Sequence, residues 1–172
     1  MASRLITDLA PRMQDMAHSF VKFAAANGLD VLIYCTHRSY EEQARLYRRG
    51  RSLKTIKQKA GELDRLYSRP DLADILIGVG AQHGRRVTNA APGQSFHNYK
   101  LAFDGVPLRE GKPVWGAKRQ EDRDLWLQYG KAGKLAGLEW AGDWRRFKEY
   151  PHMQAPGLSW RDLIHEQAAA TL

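Results

Sequence analysis

The chain has 172 residues, 43% of them hydrophobic, and a formal charge of +8. That length gives room for one domain with a substantial core, and the composition excludes global disorder. No run approaches eighteen apolar residues, which excludes a membrane-spanning helix, and the single cysteine excludes an internal disulfide.

Residues 8–26 read as an amphipathic helix, with Met13, Met16, Ala17, Phe20 and Ala24 at helical spacing and Asn27-Gly28 as its stop. The stretch 29–36, rich in β-branched and aromatic side chains, reads as a buried strand, and Cys35 within it as an inert buried thiol. Ser39-Tyr40-Glu41-Glu42 has the capping-box pattern and opens a helix that runs to Arg49 and ends at Gly50. A helix follows over 54–67, and Pro70 starts another with Leu72, Ile75, Leu76 and Val79 on one face. The polar, turn-rich stretch 84–94 reads as a loop. Strand character surrounds Leu101 to Phe103, with Asp104 at or near its end, and 105–116 reads as a hairpin or loop. A helix over 121–136 is terminated by Gly137. Short strands at 138–140 and 152–154 and a closing helix over 157–170 complete the chain. Helices interspersed with short, non-adjacent strands imply an α+β domain on a small, mostly antiparallel sheet.

Basic residues cluster over 45–59 and again at Arg145, Arg146 and Lys148. Such charge favours acidic partners, among them nucleic acid, anionic lipid and bacterial envelope polymers. No aromatic ladder interleaves with the clusters, as a single-strand groove requires. The reading is therefore a solvated basic face attracted to an anionic envelope, with no nucleic-acid partner. The first eight residues lack an apolar core and a small-residue cleavage site, so a standard secretory signal is not expected.

His97, Asp104 and His152 supply two imidazoles and one carboxylate, the ligand set expected of a catalytic zinc with one open position. Glu149, three residues before His152, is spaced to serve as a base. Taken alone these residues leave other readings open. A lone histidine is more often surface or core filling, Arg38 could pair with Glu41 or Glu42, Glu149 could pair with the cations around it, and Ser95 could cap a turn.

The run Ser95-Phe96-His97-Asn98-Tyr99-Lys100-Leu101-Ala102-Phe103-Asp104 resembles the S-x-H-x-x-G-x-A-x-D signature of the D-alanyl-D-alanine carboxypeptidase and L-alanyl-D-glutamate peptidase family of zinc enzymes. Segments 38–47, 87–94 and 137–144 also resemble phage endolysins of that family, and the four motifs stand in the family's order. The resemblance implies a Hedgehog/DD-peptidase-like α+β fold with one catalytic domain over 1–172, from which the stretch at about 51–84 departs as a helical insertion where relatives have a short loop. It implies one zinc ion held by His97, Asp104 and His152, with Glu149 as catalytic acid/base and Arg38 stabilising the substrate carbonyl. Ser95 and Gln43 fall at motif positions near the substrate. The activity implied is hydrolysis of a peptide bond in the stem peptide of peptidoglycan, L-alanyl-D-glutamate first and D-alanyl-D-alanine as the alternative. A zinc-containing wall-binding module without activity is a third reading. The expected setting is a monomeric phage endolysin held in the host cytoplasm before lysis. It would reach the wall through lesions made by a separate protein, without inserting stably in the membrane. Lys100 departs from the motif, which has glycine there, a residue that often serves positive φ.

Overall fold

The computed structural model describes residues 2–170, with side chains as far as 166. The fold is α+β, and the chain divides into two compact units. One comprises 38–99 together with 158–170; the other comprises 2–37 and 100–157. Among the described residues no helix is long and apolar enough to cross a membrane.

The sheet belongs to the second unit. Its strands are β1 (Val31–Cys35), β2 (Ala102–Arg109), β3 (Lys112–Pro113), β4 (Glu139–Trp140) and β5 (His152–Gln154). They lie in the order β1-β2-β5-β4, every pairing antiparallel, with β3 on β2. Two helices of this unit, α1 (Pro11–Ala26) and α5 (Gln120–Leu135), supply most of the remaining core. Pro11 starts α1 at a position where a missing N–H costs nothing. Its buried stripe is Met13, Ala17, Phe20 and Ala24, spaced by four, three and four. Phe20 packs tilted against Phe103 at 5.4 Å and edge-on to Tyr129 at 5.0 Å, so one ring cluster joins α1, β2 and α5.

Asp104 was expected at a strand end, and residues 105–116 as a hairpin or loop. Strand β2 instead runs on to Arg109, and Asp104 is its third residue. The reason lies at Gly105. A Cβ there would stand 2.7 Å from the Tyr129 hydroxyl, so glycine marks a close packing approach inside a strand and not its end. A β-bulge between Ile33 and Cys35 sets Cys35, not Tyr34, opposite Asp104. Cys35 is buried, as expected of the thiol.

The first unit is helical: α2 (Tyr40–Arg48), α3 (Leu53–Tyr67), α4 (Pro70–Gly78) and α6 (Trp160–Ala170). The expected cap forms at Ser39, whose Oγ accepts from the Glu42 amide at 3.2 Å. Ile56, Ala60, Leu63, Leu72, Ala73 and Leu76 pack with Ala44, Tyr47, Ala91 and Ile164. The stretch expected as an insertion thus supplies most of this unit's apolar cluster. Arg48 ties α2 to the last turn of α4 through Nη1, which donates to Leu76 O at 2.9 Å and Ile77 O at 3.1 Å.

Gly130 shows how tightly α5 meets the sheet, since a Cβ there would lie 2.2 Å from Trp140 Cε3. Gly130→Ala gains about 1 kcal/mol of helix propensity. It also forces the Trp140 ring to move in a filled core, which costs about 1–3 kcal/mol. Urea unfolding should therefore show a net loss of stability; a variant as stable as the parent would mean that the ring relaxes freely.

Candidate metal centre

In the second unit, strand alternation sorts chemistry from packing. The β2–β5 ladder pairs Ala102 with Gln154, Phe103 with Met153 and Asp104 with His152. Phe103 and Met153 are fully buried in the core. Asp104, His152 and Gln154 therefore share the opposite face of the sheet. Glu139 on β4 pairs with Gln154 and joins them there.

A chain of side-chain bonds fixes the imidazole. Trp144 Nε1 donates to Glu139 Oε1 at 2.7 Å, and Gln154 Nε2 donates to Glu139 Oε2 at 3.4 Å. With its amide nitrogen so engaged, Gln154 presents its carbonyl oxygen to His152 Nε2 at 3.1 Å. A carbonyl only accepts, so Nε2 donates here, and an imidazole that carries its one proton on Nε2 has its lone pair on Nδ1. Nδ1 stands 3.2 Å from Asp104 Oδ1, an acceptor. Two acceptors at this separation repel each other unless a proton or a cation is shared between them. Ligand atoms on a tetrahedral zinc, each about 2.0–2.2 Å from the ion, are themselves about 3.3 Å apart. The pair fits a zinc ion.

The segment leading into β5 is held from three sides. Trp140 Nε1 donates to Tyr150 O at 2.7 Å, and Pro151 O accepts from Tyr129 Oη at 2.8 Å and from the Gly105 amide at 3.0 Å. Complete burial pushes the Tyr129 phenol well above its usual range, so it stays protonated and keeps donating. The His152 amide closes a turn onto Glu149 O at 3.1 Å. Glu149 is exposed, and among the described residues no ion pair holds it, although Arg145, Arg146 and Lys148 are its sequence neighbours.

In the first unit, His97 lies in a 3-10 turn (Phe96–Tyr99) and is buried, as is Ser95. Arg38 immediately precedes the α2 cap, and its amide donates to His97 O at 3.2 Å. Gln43 is fully buried and both ends of its amide are engaged. Oε1 accepts from Arg38 Nη1 at 2.9 Å, and Nε2 donates to Ala90 O at 2.7 Å. Gln43 thus aims the guanidinium of Arg38.

Asn98, which the motif reading passed over, ties the two segments together. Its Oδ1 accepts from the Gly93 amide at 3.0 Å, and its Nδ2 donates to Arg38 O at 2.9 Å and Ser39 O at 3.3 Å. Tyr99 Oη adds a bond to Gly93 O at 2.7 Å. Asn98, Gln154 and Glu139 carry no signal in spacing or composition. Only the adjacency of Asn98 to His97, and the i+2 placement of Gln154 after His152 on one strand face, could have suggested them.

Residues 88–155 match the family model described as D-alanyl-D-alanine carboxypeptidase. The chain is 32% identical over 152 residues to the peptidoglycan L-alanyl-D-glutamate endopeptidase CwlK of Bacillus subtilis (strain 168), covering 86% of this chain and 74% of that protein. It is 27% identical over 150 residues to the L-alanyl-D-glutamate peptidase of Listeria phage A118, covering 87% of this chain but 38% of the phage protein. Among solved structures, the Serratia marcescens L-Ala D-Glu endopeptidase ChiX aligns with a TM-score of 0.50 at 18% identity, covering 94% of this chain and 91% of that one. That last likeness concerns the fold alone.

Lys100, at the motif glycine, keeps the glycine conformation with φ of 61°. Its carbonyl accepts from the Ala10 amide at 3.0 Å, which helps to hold the backbone there. A side chain in this region costs about 1–2 kcal/mol, whereas glycine loses roughly 0.5–1 kcal/mol more backbone entropy on folding. Lys100→Gly should therefore raise stability by up to about 1 kcal/mol in urea unfolding. A loss of stability would show that the lysine side chain contributes packing that outweighs its strain.

Proposed function

The chain belongs to the D-alanyl-D-alanine carboxypeptidase family of zinc metallopeptidases, and we propose that within it this protein cleaves the L-alanyl-D-glutamate bond of peptidoglycan stem peptides. The observation that carries the reading is the Asp104–His152 pair, an imidazole Nδ1 and a carboxylate oxygen set 3.2 Å apart with Nε2 turned to the Gln154 carbonyl oxygen. The bond preference is supported by the two relatives named for that cleavage, one of them covered over most of its length.

His97, Asp104 and His152 are the residues that would hold the zinc. When bound, the ion supplies Lewis acidity at the scissile carbonyl. Glu149 accepts the proton of the attacking water and returns it to the leaving amine. Its exposure and its lack of an ion pair among the described residues suit a carboxylate that must exchange protons. Arg38, aimed by Gln43, faces the charge that develops on the carbonyl oxygen. Ser95 lies one residue from the ligand turn and lines the approach of the substrate.

We assign the protein to the endolysin class, acting on the host wall as a monomer after release from the cytoplasm; the phage origin of one relative supports the class alone. Removal of terminal D-alanine is the second reading, favoured by the description of the family model. Mass spectrometry of digested peptidoglycan separates the two. New N-terminal glutamate is the expected product, and release of free D-alanine alone would overturn the assignment. Lysis is read by turbidity of permeabilised cells.

Glu149→Gln keeps shape but removes the proton acceptor. Turnover should fall by roughly 10²-fold or more while zinc content and folding persist. A variant that digests peptidoglycan at the parental rate would remove Glu149 from the mechanism.

Gln154→Leu abolishes the acceptor that keeps the proton on His152 Nε2. Zinc affinity, measured by competition with a chromophoric chelator, should drop about 10–100-fold, as is usual for lost ligand-orienting bonds. Unchanged affinity would show that the ring is oriented by other contacts.

A further inference from the structure

In the second unit, the loop that precedes Glu149 closes on a single carbonyl. The amides of Trp144 and Glu149 both donate to Ala141 O, each at 3.3 Å. The Trp144 side chain is pinned to Glu139 at 2.7 Å, and its ring lies 5.8 Å from that of His152. From this fixed neck Arg145, Arg146, Phe147 and Lys148 are all exposed, Phe147 to 72%.

Phe147 is also strained. It holds φ at 55°, a region in which a bulky side chain is a genuine outlier. Its ring leaves water no more than slightly, so burial does not offset the strain. Strain of this kind persists where a site needs it.

The charges of the loop are equally uncompensated. Its acid at the base, Asp143, is engaged by Lys134 at 2.8 Å. Among the described residues no ion pair holds Arg145, Arg146 or Lys148. Three cations and an aromatic ring therefore stand on a rigid neck, contiguous in the chain with Glu149.

We infer that residues 145–148 form a strap that binds carboxylate groups of the substrate peptide, with the arginines as the carboxylate readers and Phe147 lying on the apolar part of the chain. The inference rests on the stem-peptide reading above, since such peptides are rich in carboxylates. Guanidinium groups match carboxylates two bonds at a time, which fits an acidic peptide better than a uniformly charged surface. A lone aromatic tip without a basic amphipathic helix is poorly suited to hold a lipid surface.

The test compares two synthetic stem peptides, one with free carboxylates and one with them converted to amides. The variants are Arg145→Gln with Arg146→Gln, and Phe147→Gly. The parent should favour the free-carboxylate peptide in kcat/KM. The double variant should raise KM for that peptide roughly tenfold, leave kcat within about twofold, and lose the preference, as expected for lost bonds to a charged group. Phe147→Gly should raise KM for both peptides alike. A double variant that keeps the parental preference would overturn the strap. So would one that loses only co-sedimentation with anionic phospholipid vesicles while its peptide kinetics stay parental. If the parent cleaves neither peptide, the cleavage reading fails by itself, and calorimetric binding of the same two peptides still decides the strap.

Discussion

The register of β5 against β2 is the constraint on which the candidate centre depends. It sets Asp104 directly across from His152 while Phe103 and Met153 point the other way into the core. A slip of one residue would drive a carboxylate into an aromatic cluster and expose Phe103. The register is therefore enforced by packing as well as by the ladder. Gly105 lets the Tyr129 hydroxyl reach Pro151 O, and Gly130 lets α5 lie against Trp140, whose indole holds Tyr150 O. Small residues at contact points and large rings between them make the second unit stiff where its chemistry sits.

Buried amides act as the rulers of both units. Gln154 and Glu139 fix one imidazole in the second unit, and Asn98 and Gln43 fix the backbone and the guanidinium of Arg38 in the first. A buried amide left without partners is costly, so each holds its geometry tightly once satisfied. These residues need not touch a substrate to matter, because they decide where a lone pair or a positive charge points. The acceptor-to-acceptor approach of His152 and Asp104 is the clearest product of this arrangement, and it suits a cation.

Charge is distributed to a purpose visible in the ion pairs. Asp122 is engaged by Arg109 at 2.8 Å and by Arg119 at 3.0 Å, and Asp71 by Arg69 at 2.7 Å. The cations beside Glu149 have no such partner among the described residues. An anionic polymer approaching a protein of formal charge +8 is attracted generally, but the unpartnered charges beside Glu149 give that attraction a place.

Local rules in the chain determined most of the elements. Apolar spacing and Pro11 set α1, the Ser39 cap set the start of α2, and Gly137 set the end of α5, because these signals act within a few residues. The family resemblance likewise singled out His97, Asp104, His152, Glu149 and Arg38 as candidates by residue type and order. What the sequence could not determine are features made by residues far apart in it. The length of β2 past Gly105 depends on Tyr129, the bulge at Cys35 on its pairing with β2, and the aim of Arg38 on a glutamine that is itself held by Ala90. The contact that orients His152 Nε2 is set by Glu139 through Gln154, thirteen positions away in the chain. Spacing carries information over a helical turn or a strand pleat. Register, tautomer and side-chain aim are set by contacts that exist only once the chain has packed.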